Sequence, residues 1–378
     1  MTDASVALPL PAAEQRYGLG SRCAEFLLVG GGTLPLFPLS WWLQHSVGLE
    51  TTELIAGMLT FHAAYVINDP HFSVTYLLFY KDVKQRAFGD QFSRAQRARY
   101  WAAGLLGPLV LVTWAAAALW LRSAEALGWM IQLMFLLVGW HYTKQGFGVL
   151  TVLSQRRGEA LSRRERSAFL YHCFAAWAYA WANPAAPAGQ YEEKGVVYWA
   201  VARPALFELV AALVLAASTL WLALVLVAKW QRERRLLPFT PLLGFLITIW
   251  SWTIYTRFDP LVRYAIPALH SLQYLYFVWL MKSQQARAEE GPPAFGRPVS
   301  SRLGLLAASA LGLGWLLFRG APTFLDDVFV PHSRPLAALG PLGATPFFAA
   351  FFVVVNIHHY LMDYVIWRRD NPETRYLR

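Results

Sequence analysis

The sequence predicts an all-α fold: a polytopic transmembrane helical bundle of about ten spans, with both termini cytoplasmic. Three observations carry this. Of 378 residues, 56% are hydrophobic and only 15% charged, against about 25% charged in an ordinary soluble domain. The apolar residues gather in runs of about 20, the length that crosses a bilayer core. Many Trp and Tyr residues stand at the ends of these runs, as an interfacial aromatic belt requires.

The runs place spans at roughly 25–44, 51–69, 100–121, 127–152, 168–184, 205–228, 238–256, 262–281, 303–318 and 345–367. Segment 1–24 is polar, contains Pro and Ala, and has no signal-peptide core, so it reads as a cytoplasmic tail. Residues 25–367 read as one transmembrane domain and 368–378 as a second cytoplasmic tail. With this register, 25 Lys and Arg lie in the two tails and in 81–99, 154–167, 229–235 and 282–302, 7 lie on the opposite side, and Lys144 is inside a span. That asymmetry follows the positive-inside rule and fits an integral protein of a bacterial inner membrane. It also accounts for the net charge of +10 without nucleic acid as a partner, because the basic residues sit in short loops. Cys23 and Cys173 form no CxxC pair, which leaves no disulfide framework or zinc finger. Loops 185–204 and 319–344 are too short for a separate domain. Pro70 is expected to kink or end the second span and to turn Asn68–His71 inward. Segment Phe72–Tyr80 either prolongs that helix or lies along the inner interface.

The chemistry lies in the histidines. Five of nine, His62, His141, His270, His358 and His359, fall inside spans two, four, eight and ten at similar depth. Ionisable residues in hydrocarbon are costly and usually face a bundle interior, where helical bundles build metal sites. His359 and Asp363 are four apart and share a helix face, as do His62 and Asp69 seven apart. His71 follows Pro70 at the inner end of its span. His141 shares a face with Lys144 and Gln145, and His270 with Gln273 and Tyr274; such neighbours can orient a ligating imidazole. The expected site therefore comprises metal ligands His62, His71, His141, His270, His358, His359 and Asp363, with Lys144, Asp69 and Tyr274 as catalytic candidates. Each has a plainer reading. A single buried His commonly bonds a neighbouring helix, and Lys144 can snorkel to the surface. His45 and His172 read as interfacial, and His332 as part of a solvated loop with Asp326 and Asp327.

Imidazole and carboxylate without thiolate suit non-haem iron, zinc or copper. So many ligands exceed one tetrahedral zinc and fit iron, with room for a dinuclear centre. In residue type and burial the chain resembles the histidine-rich integral-membrane iron oxygenases, namely desaturases, alkane hydroxylases and carotene-cleaving dioxygenases. It lacks the HxxxH and HxxHH boxes of desaturases. The resemblance implies oxidation of a lipid or isoprenoid, with membrane lipids, an apolar small molecule and an electron donor as partners. A second resemblance is to membrane zinc hydrolases of the ceramidase and adiponectin-receptor type, with His62, His141, His359 and Asp363 as the three His and the Asp. A bis-His haem protein and a transporter with a His/Asp/Lys proton relay are the remaining readings.

Overall fold

The computed structural model describes residues 19–183, 188–256, 258–330 and 340–377. The chain is 80% helical. Among the described residues, four helices are long and apolar enough to cross a membrane, Arg94–Trp120, Ala205–Glu233, Val299–Phe329 and Pro346–Ile366. A fifth is added if Ser21–Leu28 and Gly31–Val47, bent by 73°, are one span. This is the fold of a membrane protein, but about ten spans and the orientation of the termini are not supported. The reason is compositional. Helices α8 (Ala124–Arg156), α9 (Arg163–Ala182) and α12 (Pro260–Glu290) are long, yet carry polar residues such as His141, Lys144, His172, His270 and Gln273. Helix α3 (Leu49–Ala64) has only 16 residues, and the apolar stretch Phe239–Ile254 is also short.

The other elements are α1 (Leu19–Leu28), α2 (Leu36–Val47), α4 (Asn68–Tyr80), α5 (Val83–Phe88), α6 (Arg94–Trp101), α7 (Gly107–Trp120), α10 (Ala205–Glu233), α11 (Phe239–Leu246), α13 (Val299–Trp315), α14 (Ala321–Phe329) and α15 (Pro346–Ile366). Local chemistry sets many boundaries. Ser93 with Gln96 and Ser162 with Glu165 form capping boxes that start α6 and α9. Asp259 caps α12 through the Val262 N–H at 2.9 Å. Asp326 accepts from the N–H groups of Phe347 and Phe348 at 2.9 and 3.0 Å. It is buried and satisfies the start of α15, in contrast to the solvated loop expected of it. His332 lies outside the described residues.

The chain breaks between α3 and α4, just before Pro70, which sits in the first turn of α4 where its missing N–H costs nothing. Asp69 and His71 turn inward and are buried. Segment Phe72–Tyr80 is neither a continuation of α3 nor interfacial. It belongs to a core helix packed against α12, α13 and α15. Val74, Leu78 and Phe79 there join Phe277, Met281, Met362 and Val365 in one apolar cluster.

The fold is not purely helical. Strands β1 (Gly189–Glu193) and β2 (Val196–Ala200) pair antiparallel. Their two-residue turn, Lys194-Gly195, has φ of 52° and 84°, the doubly positive geometry that suits a tight hairpin. Val196 and Tyr198 bury against α8, where Gly128 leaves space for the Tyr198 side chain. The C-terminal segment is also ordered, not a free tail. Pro372–Leu377 forms a 3-10 turn, and Glu373 accepts from Arg86 at 2.8 Å and Lys282 at 2.7 Å.

Among the described residues, π-helical turns interrupt two long helices, at Ala102–Leu106 and Leu316–Gly320, and a third π segment, Ile247–Ile254, ends the shorter one that begins at Phe239. A π turn loosens the backbone ladder and frees carbonyls for side chains. Within Ala102–Leu106, the carbonyl of Ala103 accepts from His358 at 2.9 Å and that of Gly104 from Tyr80 at 2.8 Å. In Leu316–Gly320 the turn carries Arg319, which lies 4.0 Å from Asp69.

Candidate metal centre

Four buried imidazoles meet at the bundle centre: His71 of α4, His141 of α8, His270 of α12 and His359 of α15. Ring centroids are 4.4 Å apart for His71–His359, 4.8 Å for His141–His270, and 5.0 Å for both His71–His270 and His141–His359. Ligand atoms of His71, His141 and His359 all lie within 4.8 Å of one another. His141 Nε2 and His270 Nε2 are 3.0 Å apart. Asp363 completes the group, its Oδ2 lying 3.4 Å from His359 Nε2 and 3.7 Å from His141 Nδ1.

These separations can be compared with an ion's demands. At an imidazole–metal bond of about 2.1 Å, ligand atoms at right angles sit about 3.0 Å apart, tetrahedral ones about 3.4 Å and opposite ones about 4.2 Å. The His141–His270 and His359–Asp363 distances match the first two, but His141 faces His270 through Nε2 and Asp363 through Nδ1, and one imidazole gives a single ion only one of these. A pair of the His71, His141, His359 group at the 4.8 Å limit must close by about 0.6 Å to stand opposite across an ion and by about 1.4 Å to stand tetrahedral.

The hydrogen-bond network fixes the tautomer of His71. Ser271 donates to Asn68 Oδ1 at 2.7 Å, so its oxygen accepts from His71 Nδ1–H at 3.1 Å. His71 Nε2 is then a bare lone pair, buried and without a hydrogen-bond partner. This is the outer-shell arrangement that orients a ligating imidazole. Both ring nitrogens of His359 and Nδ1 of His270 are also buried without hydrogen bonds. Such groups are expensive to leave unpaired. Tyr274 donates to Asp363 Oδ1 at 2.8 Å and accepts from Thr75 at 2.7 Å. That chain holds the carboxylate with Oδ2 facing the imidazoles. Gln145 donates to the His270 carbonyl at 3.1 Å and to Gln273 at 2.8 Å, tying α8 to α12.

Not every sequence-derived candidate joins the group. His62 is exposed on α3, with only the rings of Phe61 and Tyr65 beside it. His358 points the other way. Its Nε2–H donates to Ala103 O and its Nδ1 accepts from Tyr76 at 3.0 Å, so both nitrogens are spent. Asp69 faces Arg319. Lys144 is half-buried beside the Phe147 ring. His172 is fully buried against Ser218 at 3.1 Å, while exposed His45 bonds the Trp41 carbonyl at 2.7 Å. Thr75, Ser271 and Arg319 were not foreseen. Ser271 follows His270 directly, and only a helix register relative to α4 reveals that it serves His71.

A cavity of about 690 Å³ adjoins the cluster, lined at its inner end by His141, Tyr274 and Asp363. It runs along α8 from His141 to Gln155, about 21 Å at 1.5 Å per residue. The volume suits one small ligand.

Compared with known proteins, the chain matches no family model, no curated protein and no solved structure.

Proposed function

We propose that the protein is an integral-membrane metalloenzyme, a non-haem iron oxygenase or oxidase acting on a lipid or isoprenoid substrate. In this reading the remaining long helices also cross the bilayer, giving about ten spans with both termini in the cytoplasm of a bacterial cell. The observation that carries the proposal is the clustering of His71, His141, His270 and His359, with Asp363 beside His359 and His141 and the His71 proton directed outward to Ser271. Four nitrogens and a carboxylate exceed the four ligands of a closed zinc site. Such a donor set would suit non-haem iron.

Iron would supply dioxygen activation. The chain's own residues do the rest. Ser271 and Asn68 orient His71, and Thr75 and Tyr274 orient Asp363. The rings of Tyr360 and Tyr142, 4.7 and 4.4 Å from His141 and His270, keep water away. The cavity admits the substrate beside His141, and an electron donor is the expected partner.

A second reading, zinc-dependent hydrolysis of a lipid amide or ester, is favoured by one specific feature. His71, His141 and His359 alone form a compact group of three with Asp363 alongside, the donor set of a catalytic zinc that activates water. Elemental analysis with an optical spectrum of the purified protein separates the two. Iron without a Soret band supports the first, stoichiometric zinc the second, and haem or no metal overturns both.

A further inference from the structure

The cavity beside the His cluster is lined by cations as well as apolar walls. Lys144, one helical turn from His141, and Arg166 both flank the Phe147 ring, at 5.7 and 6.0 Å from its centroid. Arg368, five residues beyond Asp363, lines the same space. The acidic residues of the wall already have partners, Asp370 within the wall itself. Glu159 pairs with Arg235 at 2.9 Å and Lys229 at 3.8 Å. Asp370 pairs with Arg99 as well as with Arg368, whose Nε is 3.6 Å away and makes no hydrogen bond. Asp363 is bonded to Tyr274 at the inner end. Among the described residues neither Lys144 nor Arg166 has an ion-pair partner. Lys144 and Arg368 are half-buried and Arg166 is exposed; like charges brought together repel one another and are stabilised by an anion between them. Val152 and Phe277 give the wall an apolar stretch, beside polar Gln145, Thr151 and Gln155 and a further cation, Arg369.

We propose that this cavity binds an amphipathic anion, its carboxylate or phosphate head held by Lys144, Arg166 and Arg368 and its apolar body laid along Phe147, Val152 and Phe277. The assignment names the substrate class for the proposed metal centre and rests on that reading for the fate of the bound molecule, though not for its binding.

The test uses the full chain in phosphatidylcholine nanodiscs, with empty nanodiscs as the background. Saturable binding of palmitate, hexadecyl phosphate, hexadecanol and inorganic phosphate is measured. At least one of the two anionic amphiphiles should bind about tenfold or more tighter than hexadecanol, the scale of one charge-assisted contact. Palmitate alone, hexadecyl phosphate alone, or both would identify a carboxylate site, a phosphate site or general charge recognition. Lys144→Met should weaken that binding about tenfold and leave hexadecanol unchanged, while Lys144→Arg retains it; metal content should stay the same in both variants. Equal binding of hexadecanol would overturn the proposal, as would no saturable binding, no loss in both Lys144→Met and Arg368→Met, or inorganic phosphate binding as tightly as hexadecyl phosphate. Anion binding by a protein that holds no metal would overturn the metal reading alone.

Discussion

His141 and His270 face each other Nε2 to Nε2 at 3.0 Å across the interface of α8 and α12. Two neutral imidazoles can share one proton at that distance, or both lone pairs can point at one ion. The two states respond differently to His270→Ala. With only a shared proton, the substitution costs about 1 kcal/mol of interhelical bonding and metal content is unchanged. With an ion, metal binding falls sharply while the helices stay packed. The proposed function predicts the second result, read from metal content and thermal unfolding of the same samples.

Ser271 holds the Nδ1 proton of His71 while its own proton goes to Asn68. Ser271→Ala should therefore release the imidazole to turn or change tautomer, lowering metal affinity about 10–100-fold. Competition with a chelator of known affinity measures this. An unaltered affinity would mean that His71 Nε2 is not a ligand.

Half-buried Arg319 lies 4.0 Å from buried Asp69, and also over the rings of Tyr65 and Phe61 at 4.3 and 4.6 Å. Removing one partner leaves an uncompensated charge. Arg319→Met should destabilise by about 3–5 kcal/mol, and the double variant with Asp69→Asn by clearly less. A double-mutant cycle in denaturant checks this; additive losses would mean the pair is not coupled.

How much of this was legible in the sequence depends on where periodicity held. Helical content, the shared face of His359 and Asp363, and the break near Pro70 follow from spacing and backbone rules, and the structure has all three. His62 shows where spacing fails. Reading 51–69 as one helix put His62 and Asp69 on one face, but the chain breaks at 65–67 and leaves His62 on a peripheral helix. The same break delivers His71 to the centre. His358 and His359 are adjacent on one helix, and only the neighbours decide which faces the cluster. The π turn that frees the Ala103 carbonyl for His358 has no sequence signature of its own. Nor has the one that brings Arg319 to Asp69, since an isolated arginine at a run end looks like a loop charge.

Burial pushes the Glu373 carboxyl up, but the Lys282 ammonium and the Arg86 guanidinium outweigh it and hold the carboxyl below its usual value of 4.5. A depressed folded pKa adds stability that is fully present above the unfolded value and is lost as pH falls through the folded one. Thermal stability should therefore decline below about pH 4.5, near the reference carboxylate value, and the decline should be shallower in Glu373→Gln. Identical acid profiles for the two proteins would show that this carboxylate does not couple the C-terminal segment to α12.

The central claim is that four imidazoles and one carboxylate hold an ion while two nearby histidines do not. Metal content of the wild-type protein, His359→Ala, His358→Ala and His62→Ala, purified identically, tests it most directly. The account predicts stoichiometric metal in the wild type and in His62→Ala. It predicts retention in His358→Ala wherever that protein stays folded, and loss in folded His359→Ala. A wild-type protein without metal, or equal metal in His359→Ala and His62→Ala, would contradict it.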